Sequence, residues 1–136
     1  MERPMERGGG CCCGKVRFVV RGEPKRVGLC HCLDCRKLHA APFMAFAVFE
    51  QDAVAVTGEM GSFESQPGYR RRFCAACGSQ VIGAMEGGTE VELKHGSFDE
   101  PGLWAPSYEL WTVRREPWLG AMPSLVEHHA GNRPGL

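Results

Sequence analysis

Gly9-Gly10-Cys11-Cys12-Cys13-Gly14-Lys15-Val16-Arg17-Phe18-Val19-Val20-Arg21 runs a C-x-C metal-ligand pair straight into a strand. From Lys15 to Arg21 the residues alternate. Val16, Phe18 and Val20 share one face and mainly polar groups the other, the period-2 signature of a half-buried strand. Side chains at i and i+2 of an extended segment point the same way, so Cys11 and Cys13 can face one ion while Cys12 faces away.

Two more clusters lie downstream. Cys30-His31-Cys32-Leu33-Asp34-Cys35 reads C-x-C-x-x-C, and Cys74-Ala75-Ala76-Cys77-Gly78 reads C-x-x-C-G, a knuckle whose glycine permits open backbone angles. Four-coordinate zinc needs four thiolates. Cys11, Cys13, Cys74 and Cys77 supply four, whereas Cys30, Cys32 and Cys35 supply three. One closed structural site and one open site is the simplest partition. The alternatives are a second structural zinc completed by His39 or His95, and an iron–sulfur centre, which four thiolates also suit. Bringing residue 11 to residue 77 closes a long loop, but its entropy grows only logarithmically with length. Zinc binding of roughly 10–16 kcal/mol offsets that cost.

Three thiolates on a divalent ion leave a net charge of about −1, so the middle metal is a poor Lewis acid for activating water. Such a site suits a sulfur ligand and can hold an incoming thiol as thiolate at neutral pH. It is also expected to be only partly occupied.

The chain has 136 residues, one domain's worth, with eight cysteines, 18 glycines, and 16 basic against 16 acidic residues. Balanced charge argues against a global field for nucleic acid or an anionic membrane. The polar N-terminus has no apolar h-region, and no run of 18 apolar residues is present to span a bilayer. Disulfides fit such tight clusters poorly. The expected setting is the cytoplasm, where thiols stay reduced.

Short strands are expected at 15–21, 43–49, 53–56, 70–73, 80–82, 90–93 and 109–113, with turns at Pro67-Gly68, Gly87-Gly88 and Pro101-Gly102. This predicts an all-β sandwich of antiparallel strands, with one helical turn from Leu33 to His39. Residues 1–8 are read as a flexible N-terminus, 9–120 as the zinc domain and 121–136 as an extension, loosely attached from residue 128 onward. His39, within a helical turn of Cys35, is the candidate catalytic acid or base. His31 is expected to point away from the metal. Arg70 and Arg72, in Arg70-Arg71-Arg72, are candidates for clamping the carboxylates of a bound thiol. Trp104, Trp111 and Trp118 are expected to pack in the core and at its rim.

Gly9-Gly10-Cys11-x-Cys13-Gly14-x-Val16-Arg17-Phe18, Cys30-His31-Cys32-x-x-Cys35-Arg36-Lys37, Ala41-Pro42-Phe43, Arg72-Phe73-Cys74-x-x-Cys77-Gly78-Ser79, Gly96-Ser97-Phe98-Asp99 and Trp118 together resemble the glutathione-dependent formaldehyde-activating enzyme family, which also includes centromere protein V. The resemblance runs from about residue 9 to 119. It implies an Mss4-like fold in which Cys11, Cys13, Cys74 and Cys77 hold a structural zinc and Cys30, Cys32 and Cys35 a catalytic one. The implied reaction joins glutathione to formaldehyde as S-hydroxymethylglutathione or reverses it, a carbon–sulfur lyase chemistry. A non-catalytic binding module with two structural zincs is the alternative. The chain departs from the family's habit at Ala40, where many members have glycine, at Glu109-Leu110-Trp111, where many have His-Ile-aromatic, and at His39, where a small residue is common.

Overall fold

The computed structural model describes residues 5–134. In chain order it contains β1 (Glu6–Gly10), β2 (Arg17–Arg21), β3 (Arg26–Cys30), α1 (Leu33–His39), β4 (Met44–Glu50), β5 (Val54–Thr57), β6 (Met60–Gln66), β7 (Tyr69–Cys74), β8 (Gln80–Met85), β9 (Glu90–Lys94), β10 (Tyr108–Leu110) and β11 (Glu127–His128). These form a three-stranded sheet, β1-β2-β5, and an eight-stranded sheet, β11-β10-β3-β4-β9-β8-β7-β6. The all-β expectation and the helix Leu33–His39 both hold.

The alternation in β2 has its predicted effect. Phe18 and Val20 enter the space between the sheets, where they meet Ala47, Phe49, Val81, Val91 and Leu93. β4 does not alternate, because both of its faces are covered. Ala47 and Phe49 join that inter-sheet core, while Met44, Phe46 and Val48 belong to a second cluster on the other side of the large sheet. A strand buried on both faces reads as a continuous apolar run. Phe98 stands edge-on to Phe18, with ring centroids 5.1 Å apart, and to Trp104 at 5.0 Å. These contacts close the core beneath β1 and β2.

Several expectations are corrected. The large sheet is mixed: β10 runs parallel to both β3 and β11. The strand expected at 109–113 stops at Leu110, because Trp111 turns into the left-handed region at φ 58°. Residues 6–8, read as flexible, pair in β1 with β2; the expectation for residues 1–4 lies outside the described residues. The C-terminal stretch is not loose. Beyond the two residues of β11, the amides of Trp111 and Thr112 donate to the carbonyls of Gly131 and His129, each at 3.0 Å; residues 135–136 lie outside the description. Trp118 is 69% exposed rather than packed in the core. No helix among the described residues is long and apolar enough to cross a membrane.

Candidate metal centres and an adjoining cavity

The turn after β1 and the turn after β7 meet. Their sulfurs, from Cys11, Cys13, Cys74 and Cys77, form one group with every pair within 4.8 Å. The Sγ atoms of Cys11 and Cys13 are 3.6 Å apart and those of Cys13 and Cys74 are 3.7 Å apart. A tetrahedron with metal–sulfur bonds of about 2.3 Å has edges of about 3.8 Å, so the donor set fits zinc. Backbone amides turn toward the sulfurs: Val16 donates to Cys11 Sγ at 3.2 Å, and Ala76 and Cys77 to Cys74 Sγ at 3.3 and 3.4 Å. Hydrogen bonds from Ser79 hold the Cys77 thiol down to about 5. Cys12 is exposed and outside the group, as expected, although Cys11–Cys13 lie in a turn rather than in an extended strand.

The second group is local. Cys30 ends β3, Cys32 caps α1 by accepting from the Cys35 amide at 3.3 Å, and Cys35 is the buried residue of that helix. Their three sulfurs lie within 4.8 Å of one another, and no His, Asp or Glu joins them among the described residues. His95 is engaged elsewhere, with Nε2 2.9 Å from the Trp104 carbonyl. Hydrogen bonds from Cys30 and then Cys35 lower the pKa of Cys32, while the contact with Cys32, then that with Cys35, drives the Cys30 thiol far up. Three adjacent thiolates repel one another unless a cation joins them. The set therefore suits a thiophilic ion.

This cluster opens onto a cavity of about 560 Å³. Met44, Phe46 and Val48 floor it. Their partners across the ladder, Cys30, Gly28 and Arg26, place the thiols at one end of β3 and Arg26 at the other. Arg26 is paired with Glu90 at 2.7 Å. Tyr69 and Arg71 of β7 line the wall, and Trp111 adds a lip.

The strand parity of β7 changes the assignment of its arginines. Arg70 bonds to Glu86 and Ser62 at 3.2 and 3.4 Å, Arg72 is exposed, and neither lines the cavity. Arg71 does, and it is 4% exposed. Its Nε donates to Ser65 Oγ at 2.8 Å and its Nη2 to Cys35 Sγ at 3.5 Å. Its Nη1 is buried without a partner among the described residues. Within the run Arg70-Arg71-Arg72 the sequence expectation singled out Arg70 and Arg72, whereas Arg71 shares the parity of Tyr69 and is the one that lines the cavity.

His39 lies outside the cavity lining, half-buried. Desolvation, then Lys94 and Arg71, lowers its pKa to about 4, so the ring is neutral at pH 7 and carries no imidazolium proton to donate. His31 turns away from the sulfurs, as expected, and its Nε2 lies 2.8 Å from Glu109 Oε1. Glu109 is 1% exposed and also meets Arg115 at 2.7 Å and His128 at 2.5 Å. Burial raises its pKa, but His128, His31 and Arg115 outweigh that and lower it on balance. This buried ionic group ties the loop carrying Cys30 and Cys32 to β10 and to the C-terminal stretch. The sequence offered only an odd residue at a position where histidine is common.

The chain is an all-β protein with a four-cysteine group where its two sheets meet and a three-cysteine group at a cavity, and each group could hold a metal ion. The chain belongs to the glutathione-dependent formaldehyde-activating enzyme family, whose sequence pattern matches residues 6–114. It is 30% identical over 80 residues to an uncharacterized lyase of Schizosaccharomyces pombe, a match covering 59% of this chain and 58% of that protein. It thus spans less than two thirds of that relative. Its fold is similar to the crystal structure of a Rhodobacter sphaeroides protein, with a TM-score of 0.56 and 19% identity, covering 71% of this chain and 90% of the other.

Proposed function

We propose that the chain is a zinc-dependent carbon–sulfur lyase acting on a thiol adduct of the S-hydroxymethylglutathione type, with the four-thiolate centre structural. The observation that carries this reading is the convergence of Cys30, Cys32 and Cys35 at a cavity, with no fourth protein ligand among the described residues. Zinc bound to these sulfurs would keep an added thiol in its thiolate form at neutral pH.

The chain's own residues supply binding and charge. Arg71 offsets negative charge at Cys35. The apolar floor of Met44, Phe46 and Val48 limits water beside the adduct. Arg26 stands four residues from Cys30 along β3, about 13 Å at strand spacing. That is comparable to the reach of a tripeptide thiol, whose carboxylate can take the place of Glu90 on the guanidinium. The partner is accordingly a small thiol rather than a nucleic acid. The proposed setting is a reducing compartment, the cytoplasm.

Glutathione added to the cobalt-substituted protein tests the reading. The expected result is a changed ligand-field spectrum, absent in Cys32→Ala, which keeps one metal. A spectrum unmoved by any thiol, or a metal-edge spectrum with a protein nitrogen completing the middle shell, would favour a binding module with two structural metals.

A further inference from the structure

Arg71 and Tyr69, which line the cavity, carry two buried hydrogen-bond donors with no partner among the described residues. Arg71 is fixed on two sides, by Ser65 at Nε and by Cys35 at Nη2, so its third edge, Nη1, is held in place with no acceptor among the described residues. Leaving such a donor buried and unpaired costs free energy unless something else bonds to it. The guanidinium lies over the Tyr69 ring, with Cζ 5.2 Å from the ring centroid. The Tyr69 hydroxyl is likewise buried with no acceptor at hydrogen-bond geometry among the described residues, although the Glu92 carboxylate acts on it.

The backbone is cut to admit this hydroxyl. Gly83 pairs with Arg71 across the ladder, and a Cβ there would stand 2.2 Å from the phenol oxygen. Only glycine leaves Tyr69 room to lie across β8. Glu92, the next residue across the sheet from Gly83, is the acidic neighbour, and Lys94 pairs with it at 3.3 Å. Burial and then Glu92 push the Tyr69 pKa far up, so the phenol is a neutral donor.

We propose that Arg71 Nη1 and the Tyr69 hydroxyl bind the oxygen on the carbon that the thiol sulfur attacks, which makes these two residues the oxygen-binding side of the hemithioacetal reaction proposed above. This rests on the thiol-adduct reading above. In the addition direction the sulfur lone pair forms the carbon–sulfur bond and the carbonyl π pair moves onto oxygen. The proton lost by the thiol is regained by that oxygen, and cleavage is the reverse. Arg71 and Tyr69 stay protonated throughout and stabilise the oxygen while it carries charge. An S-alkyl thioether has no such oxygen and leaves both donors unpaired. Neutralising the thiolates requires only Nη2, which leaves the presentation of Nη1 unexplained by that role.

Thioacetate and ethanethiol separate the two roles, because only thioacetate carries an oxygen on the carbon next to sulfur. Each is titrated into the cobalt-loaded full-length protein, its Tyr69→Phe variant and its Arg71→Lys variant, following the ligand-field spectrum. The expected preference for thioacetate falls about tenfold or more in Arg71→Lys and about threefold in Tyr69→Phe, while ethanethiol binds all three alike. Turnover of the hemithioacetal falls about a hundredfold in Arg71→Lys. If Arg71→Lys misfolds, the milder Tyr69→Phe decides alone. An unchanged preference, or equal weakening of both thiols, overturns the oxygen-binding role and leaves the lyase reading intact. Failure of both thiols to bind the unsubstituted protein overturns both.

Discussion

The two thiolate centres use the same ligand type for opposite ends. The four-cysteine group joins the turn after β1 to the turn after β7, so a metal held there would staple the small sheet to the large one. Its ligands are far apart in sequence, and backbone amides aimed at the sulfurs settle their charge. The three-thiolate centre draws all its ligands from one strand–helix junction and crosslinks nothing distant. It takes its balancing charge from a side chain, Arg71, which bonds to Cys35 in the lining of the cavity. A centre that closes a long loop contributes to folding, whereas one that closes a short loop is free to leave a coordination position for a ligand.

The sharpest way to break this contrast is to remove one sulfur from each centre. Cys74→Ala should release the structural metal and unfold most of the protein, since metal binding of roughly 10–16 kcal/mol is linked to folding in such sites. Cys32→Ala should leave a cooperatively folding protein that retains one metal. Denaturant unfolding and metal counting on both variants check this. Equal loss of structure in the two would end the division of labour.

A smaller effect is expected at Glu109, which fixes the open centre from behind through His31. Glu109→Ala strands Arg115 in a half-buried site and should cost about 3–5 kcal/mol, the usual penalty for removing one partner of a buried ion pair. The metal of the closed centre should be untouched. The pH dependence has a definite sign. The folded-state pKa of Glu109 lies below its ordinary value of 4.5, so the contribution is complete above about 4.5 and is lost as pH falls through the lower folded value. The stability difference between wild type and Glu109→Gln should therefore be flat from pH 7 to 5 and shrink below that. A difference that grows on acidification would show that Glu109 is not the ionised partner.

The same contrast explains what was legible in the sequence. The sulfurs could be assigned because ligand spacing is a local property, and β2 because one of its faces is wet. Strands β1, β3, β6 and β11 escaped notice. β1 is largely glycine, β6 is polar and short of apolar residues, and two residues of β11 carry no period at all. The parallel pairing of β10 depends on neighbours distant in the chain. Among the site residues, the arginine run 70–72 was legible but not which member faces the cavity, because that depends on the strand parity Arg71 shares with Tyr69. Glu109 could not be read as part of the open centre without knowing that β10 lies beside β3.

The mildest test compares how the two centres turn the backbone. After the second ligand of the closed centre's knuckle the chain enters the left-handed region at Gly78, with φ 79°, where glycine bears no steric penalty. After the helix that carries Cys35 it enters the same region at Ala40, with φ 48° and ψ 46°, where an L side chain costs about 1–2 kcal/mol. The turn is held because the Ala40 amide bonds to the carbonyls at the end of α1 and the Ala41 amide donates to Arg36 O at 3.1 Å. Ala40→Gly should relieve the strain while loosening the unfolded chain, a partial cancellation that leaves about 0.5 kcal/mol of net stabilisation. The expected readout is a small rise in denaturation midpoint with an unchanged metal count. A loss of stability would mean that the Ala40 methyl makes contacts outweighing its strain, and that α1 needs no glycine to end where the open centre requires.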